Sequence, residues 1–96
     1  MARNEAVTLT GSIWTELSDA ETIAAEVAFQ NIGGGDVTIL ATTGTSAPAA
    51  TVWDGFIYSP GEADARTLAV MFPGLTTPIR LWARGRNSGK VMVSYA

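Results

Sequence analysis

Apolar residues recur at every second position along much of the chain, and a period of two is the mark of half-buried β-strands. Val7 and Leu9 alternate with Thr8 and Thr10, and Val37, Ile39 and Ala41 with Thr38, Leu40 and Thr42. Leu68, Val70 and Phe72 alternate with Ala69 and Met71, which predicts a strand over Thr67 to Phe72. The closing stretch from Pro78 to Ala96 is the clearest. Ile79, Leu81 and Ala83 oppose Arg80, Trp82 and Arg84, and Val91, Val93 and Tyr95 oppose Lys90, Met92 and Ser94. Gly85-Arg-Asn-Ser-Gly89 between them predicts a hairpin.

Turn residues separate these runs. Gly33-Gly-Gly-Asp36 reads as a hairpin reversal into the Val37 strand. A triple glycine also suits a phosphate cradle, but that needs a following helix and a lysine, and the only lysine is Lys90. Pro60-Gly61 and Pro73-Gly74 suit the central positions of type II turns. Thr43 to Thr51 is small, polar and proline-punctuated, hence a loop, and a short strand is expected within Val52 to Ser59, around Gly55 to Tyr58. Ser12 to Leu17 forms another short strand carrying Trp14.

Ser18 to Gly35 supports two readings. Ser18 and Glu21 make a capping box for an alanine-rich helix ending at Gly33. Ile23, Ala25, Val27 and Phe29 instead alternate as a strand, and this reading keeps the four apolar residues on one face, so it is preferred. Counted together, the segments make about eight short strands with turns every eight to twelve residues or so, which predicts an all-β fold. The expected architecture is a single antiparallel β-sandwich, jelly-roll or Ig-like, over residues 6–96, behind a loose arm over residues 1–5.

Composition narrows the chemistry. The 96 residues include no cysteine and no histidine, which removes disulfides, Cys/His metal sites and His-dependent nucleophiles. Charged residues make up 16%, against about 25% in an average soluble domain. A weakly charged surface suits contact with neighbouring subunits. The net charge of −3 divides unevenly, −5 over residues 1–48 and +2 over residues 49–96, which permits attraction between copies. That balance is too acidic for a nucleic-acid binder. The first twenty residues do not resemble a signal peptide and no run is long enough to span a membrane, so neither nucleic acid nor membrane is an expected partner.

Candidate sites are few. Arg80, Trp82 and Arg84 share one strand face, and an exposed tryptophan between arginines has the composition of an interface hot spot. The alternative is that Trp82 covers a core edge while the arginines snorkel over it. On the interface reading, Trp82→Ala disrupts assembly more than folding. Trp14, Trp53 and Trp82 also raise a sugar-stacking platform, with Trp53 beside Asp54 the best single candidate and core or rim packing the alternative. Asp54, Glu62 and Asp64 are close enough to suggest paired carboxylates for glycoside hydrolysis, but solvated surface explains them as well. Asp19, Glu21 and Asp36 lack the ligand spacing of a calcium loop. No catalytic residue, metal or cofactor is assigned.

The order Val7-Thr-Leu-Thr-Gly-Ser-Ile-Trp14, Val27-Ala-Phe-Gln-Asn-Ile-Gly33, Ser59-Pro-Gly-Glu62, Leu81-Trp-Ala-Arg84 and Gly89-Lys-Val-Met-Val93 resembles small structural proteins of tailed bacteriophages. The likeness runs across nearly the whole chain but rests on short, permissive motifs. It implies a non-enzymatic virion protein, a capsid decoration, cement or head-associated adaptor made in the host bacterial cytoplasm. It further implies binding to the major capsid protein or other virion proteins and a homo-oligomer, with a trimer favoured. The interface residues expected on the residue evidence are Arg80, Trp82, Arg84 and Trp53. A tail- or fibre-associated carbohydrate-binding module is the alternative.

Overall fold

In the computed structural model, which describes residues 3–18, 26–75, 78, 80–86 and 88–95, eight strands and one helical turn follow in order. They are β1 (Arg3–Thr10), β2 (Thr15–Ser18), β3 (Glu26–Asn31), β4 (Val37–Thr42), β5 (Phe56–Tyr58), β6 (Ala63–Thr67), α1 (Leu68–Met71), β7 (Arg80–Gly85) and β8 (Ser88–Tyr95). Two four-stranded antiparallel sheets result, ordered β1-β8-β3-β6 and β2-β7-β4-β5. The first strand pairs with the last, the second with the seventh, the third with the sixth and the fourth with the fifth. This is the jelly-roll order, a double-stranded ribbon wrapped into a sandwich.

The alternating residues fill the space between the sheets. Val7, Leu9, Val27, Phe29, Val91 and Val93 from the first sheet meet Leu17, Val37, Ile39, Leu81 and Ala83 from the second. Removing such side chains from water is the main stabilising force, about 1.5–3 kcal/mol for each fully buried Val, Leu, Ile or Phe.

Topology corrects the expected hairpins. β3 and β4 lie in different sheets, as do β7 and β8, so the Gly33–Asp36 and Gly85–Gly89 segments arch between layers. At the second arch a Cβ on Gly85 would collide with the Ser88 carbonyl oxygen, which reserves that position for glycine. The consecutive strands that do pair are β4 and β5, across the long segment 43–55. Pairing of Arg3 with Tyr95, Asn4 with Ser94 and Glu5 with Val93 also takes Arg3 to Glu5 into β1, so the arm expected over residues 1–5 does not include them.

The predicted strand over Thr67–Phe72 is instead the end of β6 followed by α1. Thr67 caps the turn, its Oγ1 accepting from the Val70 N–H at 3.3 Å. Leu68, Met71 and Phe72 are buried while Val70 is 59% exposed, so helical spacing wins over alternation. The strand reading holds over Glu26–Asn31; Ile23, Ala25 and the Glu21 half of the capping box lie outside the described residues. At Ser59–Glu62 the Glu62 N–H donates to the Ser59 carbonyl at 2.9 Å with Gly61 at φ 90°, as the type II turn requires. The Phe72–Leu75 turn closes the same way at 3.1 Å, but Gly74 has no positive φ, so it is not type II.

Candidate functional site

The Arg80, Trp82 and Arg84 side chains do share the outer face of β7. That face is not free. Segment 43–55 returns over the sheet and the Arg84 guanidinium, 2% exposed, donates through Nη1 to the Ala50 carbonyl at 2.9 Å and the Val52 carbonyl at 2.7 Å. The same guanidinium carbon lies 3.6 Å from the Trp53 ring centroid and 5.2 Å from that of Trp14. Arg84 thus lies within reach of two indoles, one from the β1–β2 connection and one from the long segment. Charge, two hydrogen bonds from one nitrogen and stacking together pin that segment to the sheet.

Trp82 is 8% exposed, flanked in register by Glu16 and Leu40, and its Nε1–H donates to Thr42 Oγ1 at 2.9 Å. Arg80 is partly buried and paired with the Glu16 carboxylate on β2. The expected exposed stripe is therefore internal at two of its three positions. It follows that Trp82→Ala strikes folding before assembly, the reverse of the expectation from the sequence. Trp53 remains outside at 46% exposure, with one ring face resting on Arg84.

Glu62 and Asp64 are each engaged by neighbouring groups. Glu62 Oε1 accepts from the Ser59 N–H at 2.6 Å within its own turn. Asp64 accepts from the Tyr58 hydroxyl at 3.1 Å and from Arg66 Nε at 3.1 Å. Asp54 is exposed in the segment beyond Trp53. Asp19 and Glu21 lie outside the described residues, and among those described no three acidic side chains come together as a metal site.

The two open rims of the sandwich differ. Between edge strands β1 and β2, Arg3 reaches across and donates to the Glu16 and Leu17 carbonyls at 3.1 and 3.2 Å. Between edge strands β5 and β6, the Tyr58–Asp64 bond spans the gap beside an apolar cluster. Phe56, 54% exposed, packs on Phe72 with centroids 5.4 Å apart, and with Val70 and Met71 it lines a hollow of about 210 Å³. Ile57, on the other side of β5, is 60% exposed. An edge strand that offers Phe and Ile to solvent invites a partner. Within the strand expected around Gly55 to Tyr58 nothing in the sequence marks an edge; that position follows only from the strand order.

Burial, the bond to Asp64 and the negative charge of that carboxylate push the Tyr58 hydroxyl up to about 12 from its ordinary 10.0. The raised value means that neutral Tyr58 adds stability in full below pH 10 and loses it as pH rises toward 12. Alkaline titration followed at 295 nm is expected to show Tyr58 ionising late. Asp64→Asn is expected to lower that midpoint without restoring 10.0, since burial is the largest cause. An unshifted midpoint in the variant would mean that the rim bond does not form.

These features define a jelly-roll sandwich with one face sealed by its own long segment and one apolar rim. Comparison with family models, curated proteins and solved structures finds no match to the chain.

Proposed function

We propose that the chain is a non-enzymatic structural subunit of a tailed-phage virion, which docks on neighbouring virion proteins and associates with copies of itself. The observation that carries this reading is the β5–α1 rim, where Phe56, Ile57 and Val70 are each more than half exposed. Their burial against the major capsid protein or another head component would supply an apolar contact without catalysis. Because such a contact exists only in the assembled state, it stabilises that state by mass action. The resemblance of the motif order to phage structural proteins supplies the identity of the assembly, and the jelly-roll order suits a shell component.

The test is co-sedimentation of the purified protein with heads of the phage that encodes it. Binding is expected for the wild type, and a Phe56→Ser, Val70→Ser double variant that remains folded by circular dichroism is expected to lose at least about tenfold in affinity. Wild-type protein that stays in the supernatant overturns the reading.

A second reading rests on Trp53. Its outer ring face is available while Arg84 fixes the inner one, a geometry that suits stacking on a sugar ring. Glycan-array binding that disappears in Trp53→Ala would favour a carbohydrate-binding module instead. The absence of any signal on the array would remove it.

A further inference from the structure

The outer face of the β1-β8-β3-β6 sheet carries no covering segment among the described residues, and its side chains form cross-strand rows. Ala6, Met92, Gln30 and Ala63 make one row, and Asn4, Ser94, Ala28 and Ala65 the next. On either side of this pair lie the Thr8–Lys90 row and the Glu26–Thr67 row. Residues directly opposite on neighbouring strands share a face, so these positions all point outward. The central region forms a shallow groove of about 530 Å³. The face carries two charges, Lys90 at one end and Glu26 at the other, both exposed and neither ion-paired among the described residues.

We infer that this face packs against the same face of a second copy across a two-fold axis perpendicular to the strands, between the two central rows. That operation lays the Met92–Gln30 row of one subunit on the Ser94–Ala28 row of the other, long side chains over short ones. It also brings Lys90 to Glu26 of the partner subunit, and Glu26 to Lys90 of the partner subunit, on adjacent strands. A face with its two charges at opposite ends is self-complementary under this symmetry, as an isologous interface requires. Four strands about 4.8 Å apart, two of eight residues, one of six and one of five, cover roughly 430 Å² on each subunit, or about 850 Å² in the pair. That area is below what a permanent dimer buries, so the dimer is weak and forms in a concentration-dependent manner. The inference deepens the self-association part of the proposed function and rests on it, while virion docking uses a different surface, the β5–α1 rim. It replaces the trimer implied by the resemblance with a dimer.

Sedimentation equilibrium over a range of concentrations tests it. The wild type is expected to approach twice the 10.0 kDa chain mass. Glu26→Lys and Lys90→Glu each set like charges against each other twice, and each is expected to weaken dimerisation about tenfold or more. The Glu26→Lys, Lys90→Glu double variant restores both pairs, and an equimolar mixture of the two single variants is expected to form a heterodimer. A strict monomer, a trimer, or a dimer indifferent to both charge reversals would overturn the inference. A wild-type monomer that still co-sediments with heads would sink the dimer alone, whereas a charge-dependent dimer that ignores heads would sink virion docking alone.

Discussion

Arg84→Ala is expected to lose about 4 kcal/mol of stability, with a fall in Tm on the order of 20 °C. The side chain is 2% exposed and makes two charge-assisted bonds to the Ala50 and Val52 carbonyls, each worth about 1.5–3 kcal/mol. Stacking on Trp53 adds about 0.5–2 kcal/mol, and the sum is reduced because all three contacts act as one unit. Arg84→Lys is expected to recover only part of the loss, since an ammonium can donate to both carbonyls as Nη1 does but cannot lie flat on an indole. Urea unfolding reports the stability. A red-shifted Trp53 emission and faster proteolysis within residues 43–55 would report release of the segment. If Arg84→Ala falls within about 1 kcal/mol of the wild type, the guanidinium is a bystander and the segment is held by something else.

The sequence pointed to Arg84 for the wrong reason. Alternation placed it correctly, opposite Leu81 and Ala83, on the outer face of β7. A strand covered on its inner face alone would leave that outer face to solvent, and Arg-Trp-Arg then reads as a partner site. What covers it is segment 43–55, whose small residues give no period and therefore no hint that the backbone folds back over the sheet. The contacts are made by backbone carbonyls, which every residue has, so side-chain identity could not announce them. Trp53 was legible because a tryptophan in a polar segment is conspicuous, and it does remain half exposed.

For the fold, the core was readable and the pairing was not. Val37, Ile39, Leu81, Ala83, Val91 and Val93 are all buried, as their alternation requires. Gly-rich reversals, however, show where a chain turns without showing whether the next strand stays in the same sheet. In a jelly roll the neighbours come from opposite ends of the sequence, so β1 waits for β8 and β2 for β7. β6 was missed for a related reason. Its inward positions, Asp64 and Arg66, sit at the rim rather than in the core, while alanines take the outward side, so the strand alternates in the inverse of the apolar-inward pattern. Leu68-Ala-Val-Met-Phe72 satisfies both periods, so its alternation suggests a strand where α1 forms. The deciding residue is Thr67, whose hydroxyl caps the helical turn.

Asn31 shows what such reasoning overlooks, and its replacement is expected to have an effect comparable to that of Arg84. Its side chain is fully buried at the end of β3 and makes three hydrogen bonds. Nδ2 donates to the Gly35 carbonyl at 2.8 Å and the Tyr58 carbonyl at 2.9 Å, while Oδ1 accepts from the Gly33 N–H at 3.0 Å. One amide thereby fastens the β3–β4 arch to the end of β5, across the two sheets. Asn31→Ala leaves the Gly33 N–H and the Gly35 and Tyr58 carbonyls without that partner, a loss of about 3–5 kcal/mol, toward the lower end of roughly 1–3 kcal/mol for each group because Gly33 is only half-buried and Gly35 is exposed. Asn31→Asp separates hydrogen bonding from shape. It keeps the acceptor for Gly33 but turns a carboxylate oxygen toward two carbonyl oxygens, which favours the protonated acid in the folded state. Its folded pKa is therefore raised, and relative to the wild type the variant is expected to be least impaired below about pH 4, the unfolded carboxyl value, and to lose further stability as pH rises through the folded one. Urea midpoints for both proteins at pH 4 and pH 7 give the comparison. A deficit that is the same at both values, or smaller at pH 7, would mean that the Asn31 amide does not face those carbonyls.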